Sequence, residues 1–260
     1  MKLYHDSELN ILKDIHELEP SECLIISDDE KTEKYYKAAS IIGDILSDSY
    51  LAKWKDNSKS KFPPDLINEE DSLMMEVMRV DDHSPDGRQN PVLARQREMS
   101  EEVRPFVEQF PKDVSLFINA VTDLPTEEDH NYRFYYLSFQ RTLRKHLSKL
   151  EIYKKNHPNK RTIFLVFDET SEIYIEKEST ENGQIKGRIH FPFFDNRFLN
   201  EFIDSALDYL IWYIPYNHYE SAGGHLILPR LILIDIKNAR DGVALQRYEY
   251  DENKMVSNEK

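Results

Sequence analysis

The sequence predicts an α/β fold in which one mixed central sheet is flanked by helices, and three observations carry that expectation. Tyr136, Phe139, Leu143, Leu147 and Leu150 recur every three or four residues, the spacing of one face of a helix. Thr162 to Phe167 is an apolar, β-rich run of the kind that fills a strand covered on both faces. Asn182-Gly183 lies between two strand-like segments, Glu172 to Lys177 and Gly187 to Phe193, and signals a hairpin.

The remaining elements follow in chain order. Cys23 to Ile26 reads as a short strand. Ser27 and Glu30 have the spacing of a capping box, and Tyr35, Ala38, Ile42, Ile45 and Leu46 continue at helical intervals, so a helix is expected from Asp28 to about Leu46. Phe62-Pro63-Pro64-Asp65 excludes a helix interior and favours extended chain. Asn90-Pro91 resembles a helix start. The basic helix runs from Arg133 to Lys155 and ends in the turn Asn156 to Asn159. Phe198, Phe202, Ala206, Leu210 and Tyr213 then suggest an aromatic-rich helix capped by Asp195. Leu226 to Ile236, interrupted by Pro229, predicts a further strand, and Asp251 to Lys260 a frayed polar tail. With no internal repeat and no low-complexity linker, residues 1–260 are expected to form a single domain.

Composition narrows the function classes. Of 260 residues, 40% are hydrophobic and 32% charged, enough for a substantial core under a heavily charged surface. No apolar run approaches the roughly 18 to 20 residues that span a bilayer, and MKLYHDSELNILKDIHELEP carries acids where a signal peptide needs an apolar stretch. A cytoplasmic protein with no membrane partner is expected. Cys23 is the only cysteine, which excludes an intrachain disulfide framework and a thiolate zinc cluster. The net charge of −14 argues against a nucleic-acid coat, yet Arg133 to Arg161 holds nine Lys or Arg residues and one acid, Glu151. A local basic face on an acidic chain is the implication.

The segment Pro64 to Val80 carries the most chemistry. If Leu73 to Val80 is a strand, Met74, Glu76, Met78 and Val80 share a face, which places a carboxylate among methionines. Such an acid is costly unless it is paired or bound to a cation. If instead Asn68 opens a helix with Glu69, Glu70 and Asp71 in its first turn, then Leu73, Met74, Val77 and Met78 form a buried stripe and Glu76 is solvated. The short apolar run leaves both readings open.

On the strand reading, Pro64-Asp65 followed by Glu76 resembles the PD-(D/E)XK nuclease superfamily, whose motif pairs a Pro-Asp with an acid-X-Lys on the next strand. The helix at Arg133 to Lys155 and the strand at Thr162 to Phe167 follow in a similar order. The resemblance spans roughly Ser27 to Asp168 and implies a restriction-endonuclease-like core with C-terminal additions. It also implies that Asp65 and Glu76 hold Mg²⁺ or Mn²⁺ against a scissile phosphate. Met78 stands where the family has its lysine, and Arg79 points to the opposite face; Lys145 from the basic helix is the candidate substitute.

Other constellations are weaker. Asp81-Asp82-His83 offers metal-ligating groups but has the chemistry of a polar turn. Asp235-Ile236-Lys237 is a second acid-X-Lys triplet, with Glu220 upstream, but only 23 residues follow Lys237. Ser221-Ala222-Gly223-Gly224-His225 is a plain loop, and the aromatics from Phe191 to Tyr219, Trp212 included, read as core. Arg141, Arg144 and Lys149 are candidate phosphate contacts.

Three functions are compatible with these features. The first is a metal-dependent nuclease-like protein, active or degenerate, with Asp65, Glu76 and Lys145 as its catalytic residues. The second is a non-catalytic module whose basic helix, 133–155, docks an acidic partner. The third is a metal-dependent hydrolase of a small phosphorylated molecule.

Overall fold

The structure is a computed structural model that describes residues 8–27, 32–57, 64–83, 101, 104–106, 109, 131–170, 172–181, 184–216, 219–221, 224–226, 228–241 and 247–257. The expected helix start at Asn90-Pro91 lies outside these residues.

The N-terminal part runs α1 (Glu8–His16), β1 (Cys23–Ile26), α2 (Glu33–Leu46), α3 (Tyr50–Lys53), β2 (Trp54–Asp56), β3 (Leu66–Asn68) and β4 (Leu73–Val80). Next come α4 (Tyr132–Leu147), α5 (Leu150–Asn156), β5 (Arg161–Asp168), β6 (Tyr174–Glu181), β7 (Gln184–Ile189) and α6 (Asn196–Leu199). The chain closes with β8 (Tyr209–Tyr213), β9 (Tyr219–Ser221), β10 (Gly224–Leu226), β11 (Leu231–Asp235), α7 (Ile236–Arg240) and β12 (Met255–Ser257).

Seven strands form one mixed sheet in the order β1-β11-β8-β5-β4-β3-β2. The strands β8, β5 and β4 are mutually parallel, and β3 and β2 continue antiparallel at one edge. Side-chain alternation divides each central strand between two helical layers. Met74, Met78, Phe164, Val166, Leu210 and Trp212 pack with α4, α5 and α6, whereas Met75, Ile163, Leu165, Ile211 and Tyr213 pack with α1 and α2. Burial on both faces is why these strands read as unbroken apolar runs. A second sheet, β12-β6-β7, contains the expected hairpin, and β9 and β10 form a separate pair where a plain loop was expected.

Leu73–Val80 is a strand, which decides between the two readings of that segment. The capping signal at Asn68 is real but serves a hairpin turn. Asn68 Oδ1 accepts from Asp71 N at 3.0 Å, and Ser72 adopts φ 53°, a left-handed conformation that ends any helical continuation. The chain then returns antiparallel with Leu66 opposite Met75.

Four expectations need correction. The helix after β1 opens at Thr32, whose side chain accepts from Tyr35 N at 3.2 Å, while the Ser27 hydroxyl receives the Asn238 amide instead. The basic helix is two helices, because Ser148 turns its hydroxyl back onto the Lys145 carbonyl and Lys149 begins a new one. The aromatic segment is helical only at Asn196–Leu199, where Asp195 caps it as expected. Tyr209–Tyr213 is a strand between β5 and β11, its five side chains buried on the two faces of the sheet. The polar tail is not frayed throughout, since Met255–Ser257 pairs with β6.

Candidate functional site

Alternation along β4 puts Glu76 on the face of Met74, Met78 and Val80, toward α4, as the strand reading requires. The Leu66–Met75 register, continued by one residue, sets Asp65 directly across from Glu76. Like charges in that position repel unless something neutralises them. Asp65 is half-buried, and its Oδ2 accepts from Val77 N at 2.9 Å. Its pKa rises from 3.8 to about 6, first through burial and then through the charge of Glu76, with the Val77 N–H and His146 pulling the other way.

Glu76 is only 5% exposed, and its two oxygens differ. Oε1 accepts from Tyr153 Oη at 2.8 Å and lies 2.8 Å from His146 Nδ1. Oε2 is buried with no hydrogen-bond partner among the described residues. A carboxylate oxygen in that state costs free energy and is a natural cation ligand. The break between α4 and α5 matters here. It carries His146 and Tyr153, from two separate helices, to the same oxygen.

Lys145, the expected substitute for the missing lysine, makes no hydrogen bond or ion pair with Asp65 or Glu76 among the described residues. Met78 is 2% exposed in the core, and Arg79 points to the opposite face, where it pairs with Glu169 at 3.1 Å. Lys145 is exposed; one residue further, His146 shares the buried face of Phe139 and Leu143 and makes the contact. Arg141 and Lys145 are exposed on the far side of α4 from Glu76. Arg144 is held by Glu201 through two hydrogen bonds, of 2.7 and 3.1 Å, and Lys149 is half-buried at the start of α5.

A second acid site lies where β5 ends. Asp168 is fully buried and accepts from Tyr135 Oη, from Trp212 Nε1 at 2.7 Å, and from Thr170 N and Oγ1 at 3.1 and 2.8 Å. It borders a cleft lined also by Glu172, Tyr174, His190 and Phe191. The triplet Asp81-Asp82-His83 does not converge. Asp81 takes the Ser138 hydroxyl at 3.1 Å, while Asp82 is buried under Tyr174 Oη at 2.5 Å. Asp235 caps α7 by accepting from Asn238 N at 3.2 Å, so its triplet with Lys237 is a helix start.

The chain matches no protein-family model, no curated protein and no solved structure. Geometry alone must therefore carry the functional reading. Among the described residues, no group of three or more His, Cys, Asp or Glu side chains is arranged to hold a metal ion, and no helix is long and apolar enough to cross a membrane. Two opposed carboxylates, one with an unpartnered oxygen, still suit a hard divalent ion. Mg²⁺ is commonly bound by one or two carboxylates, with water and substrate phosphate completing its shell.

Proposed function

We propose that Asp65 and Glu76 form the metal-binding pair of a nuclease-like centre that hydrolyses phosphodiester bonds. The observation that carries this reading is Glu76 Oε2, buried with no hydrogen-bond partner among the described residues, on a residue whose strand position lies opposite Asp65, a carboxyl of raised proton affinity. The order α2 and α3, three antiparallel strands β2 to β4, α4 and α5, then β5 parallel to β4 supports it, being similar to the order expected of a restriction-endonuclease-like core.

Mg²⁺ or Mn²⁺ bound there supplies Lewis acidity and a water of lowered pKa. The chain's own contribution is positional. Asp65 is fixed by the Val77 N–H, and Glu76 is fixed through Oε1, which leaves Oε2 for the ion. Burial of the pair keeps the local dielectric low and strengthens its attraction for a cation.

One observation favours the second reading, a non-catalytic module that binds an acidic partner. The motif's lysine position is filled by a buried methionine, while Arg141 and Lys145 remain exposed. Incubating labelled single- and double-stranded DNA and RNA with Mg²⁺ or Mn²⁺ separates the two. Cleavage by wild type that is lost in Asp65→Ala and Glu76→Ala is expected. Salt-sensitive binding without cleavage, abolished by charge reversal of Arg141 and Lys145, would establish the module instead. Inhibition by a small phosphate monoester, itself hydrolysed, would move the substrate to that class.

A further inference from the structure

We infer that His146 holds the attacking water and receives its proton at Nε2. The inference rests on the phosphodiester-cleaving reading and extends it to the residue that handles the water. Alternation places position 78 on the face of Glu76, yet Met78 is packed into the core there and offers no polar atom. Arg79 is turned away and paired with Glu169, and Lys145 is exposed. His146 of α4 reaches Glu76 itself, its Nδ1 2.8 Å from Oε1, and it also lies close enough to Asp65 to influence that carboxyl.

With the neutral ring's proton on Nδ1, the 2.8 Å contact is a hydrogen bond donated to Glu76 Oε1, and Nε2 is left with its lone pair. Tyr153 binds the same Oε1 and holds Glu76 from a second helix, while the imidazole stands edge-on to Phe164 with centroids 6.2 Å apart. A base oriented by a buried carboxylate is a recurrent catalytic arrangement. The side chain retains 13% exposure, so a water can reach it.

In the step, the water oxygen bonds to phosphorus as its proton passes to Nε2. The phosphorus bond to the leaving sugar oxygen breaks, and that oxygen takes a proton from solvent. His146 then returns its proton to solvent.

Two measurements test this. In the metal-free protein, long-range ¹H–¹⁵N NMR of labelled histidines, with His146 assigned through His146→Asn, should report the Nδ1-protonated tautomer; the Nε2-protonated form overturns the proposal. At saturating Mn²⁺, His146→Ala should slow cleavage by about 100-fold or more, the usual worth of a general base, and added imidazole should restore part of the rate. Mn²⁺ affinity by calorimetry should stay within a few-fold of wild type. A parallel loss of Mn²⁺ affinity with no rescue would make His146 a prop for Glu76 and overturn the inference. Should His146→Ala fold poorly, His146→Asn, which keeps a donor for Glu76 but no base, should show the same loss. Full activity in either variant overturns the role of His146 alone, whereas no cleavage by wild type overturns the nuclease reading together with it.

Discussion

Two acid sites lie on neighbouring strands of one sheet, and both Asp65 and Asp168 have pKa values pushed up to about 6 with burial as the first cause. Their environments are otherwise opposite. At Asp168 every donor in reach works against burial, and both oxygens are occupied. At Asp65 the second cause is another carboxylate, and that neighbour, Glu76, keeps an oxygen with no partner among the described residues. A similar proton affinity thus marks a satisfied structural acid in one place and an under-satisfied pair in the other. The inventory of donors, not the pKa, distinguishes them.

The sharpest way to break that contrast is the same isosteric change at both sites. In Asp168→Asn, either orientation of the amide sets its NH₂ against an N–H donor, because Thr170 N bonds one oxygen and Trp212 Nε1 the other. The cost should be about 2 to 4 kcal/mol, read as a lower urea midpoint at unchanged slope. In Glu76→Gln, the carbonyl can keep Tyr153 and His146 while the NH₂ takes the unpartnered position, and repulsion with Asp65 is relieved. Stability should stay within about 1 kcal/mol of wild type. Equal losses at the two sites would mean that Glu76 Oε2 is as well satisfied as Asp168.

A smaller effect probes how Glu76 is held. Tyr153→Phe removes a donor to Oε1 and should cost about 1.5 to 3 kcal/mol, the usual worth of a hydrogen bond to a charged acceptor. In the Glu76→Gln background the loss should shrink, because the acceptor is then neutral. A loss that stays the same in both backgrounds would assign Tyr153 to packing against Phe164, whose ring lies 6.5 Å away.

How much of this was readable from sequence depends on which interactions are local. The strand Thr162 to Phe167 follows from an unbroken apolar run, and the face shared by Met74, Glu76 and Met78 from alternation once that segment is a strand; both are properties of a few consecutive residues. Asp65 and Glu76 could be paired because one short turn joins their strands. The His146 contact could not be seen, since it spans 70 residues and depends on the helical phase that turns His146, not Lys145, inward. A register count from Phe139, seven residues back and already on the apolar stripe, was the available signal. Tyr209–Tyr213 failed for a related reason. Five consecutive apolar residues fit a helix or a doubly buried strand equally well, and only pairing with β5 and β11 decides. The four donors to Asp168 come from β8, α4 and the loop after β5, so nothing local announced them.

The smallest expected effect tests whether Asp65 and Glu76 sense each other at all. Asp65 titrates near 3.8 when unperturbed and at about 6 in the fold, so between these values the folded protein holds a proton that the unfolded chain has released. Its contribution to stability is therefore present below pH 3.8, is lost as pH rises to about 6, and is constant above. In Glu76→Gln the second cause of the shift is gone while burial remains. The Asp65 carboxyl, followed by ¹³C NMR, should then titrate below its wild-type value but still above 3.8, and the pH range of the stability loss should narrow from its upper end. A value unmoved in the variant would mean that burial and the charge of Glu8, without Glu76, raise Asp65. The two carboxylates would then not share a field, and the argument for a common cation would lose its electrostatic basis even with the strand register intact.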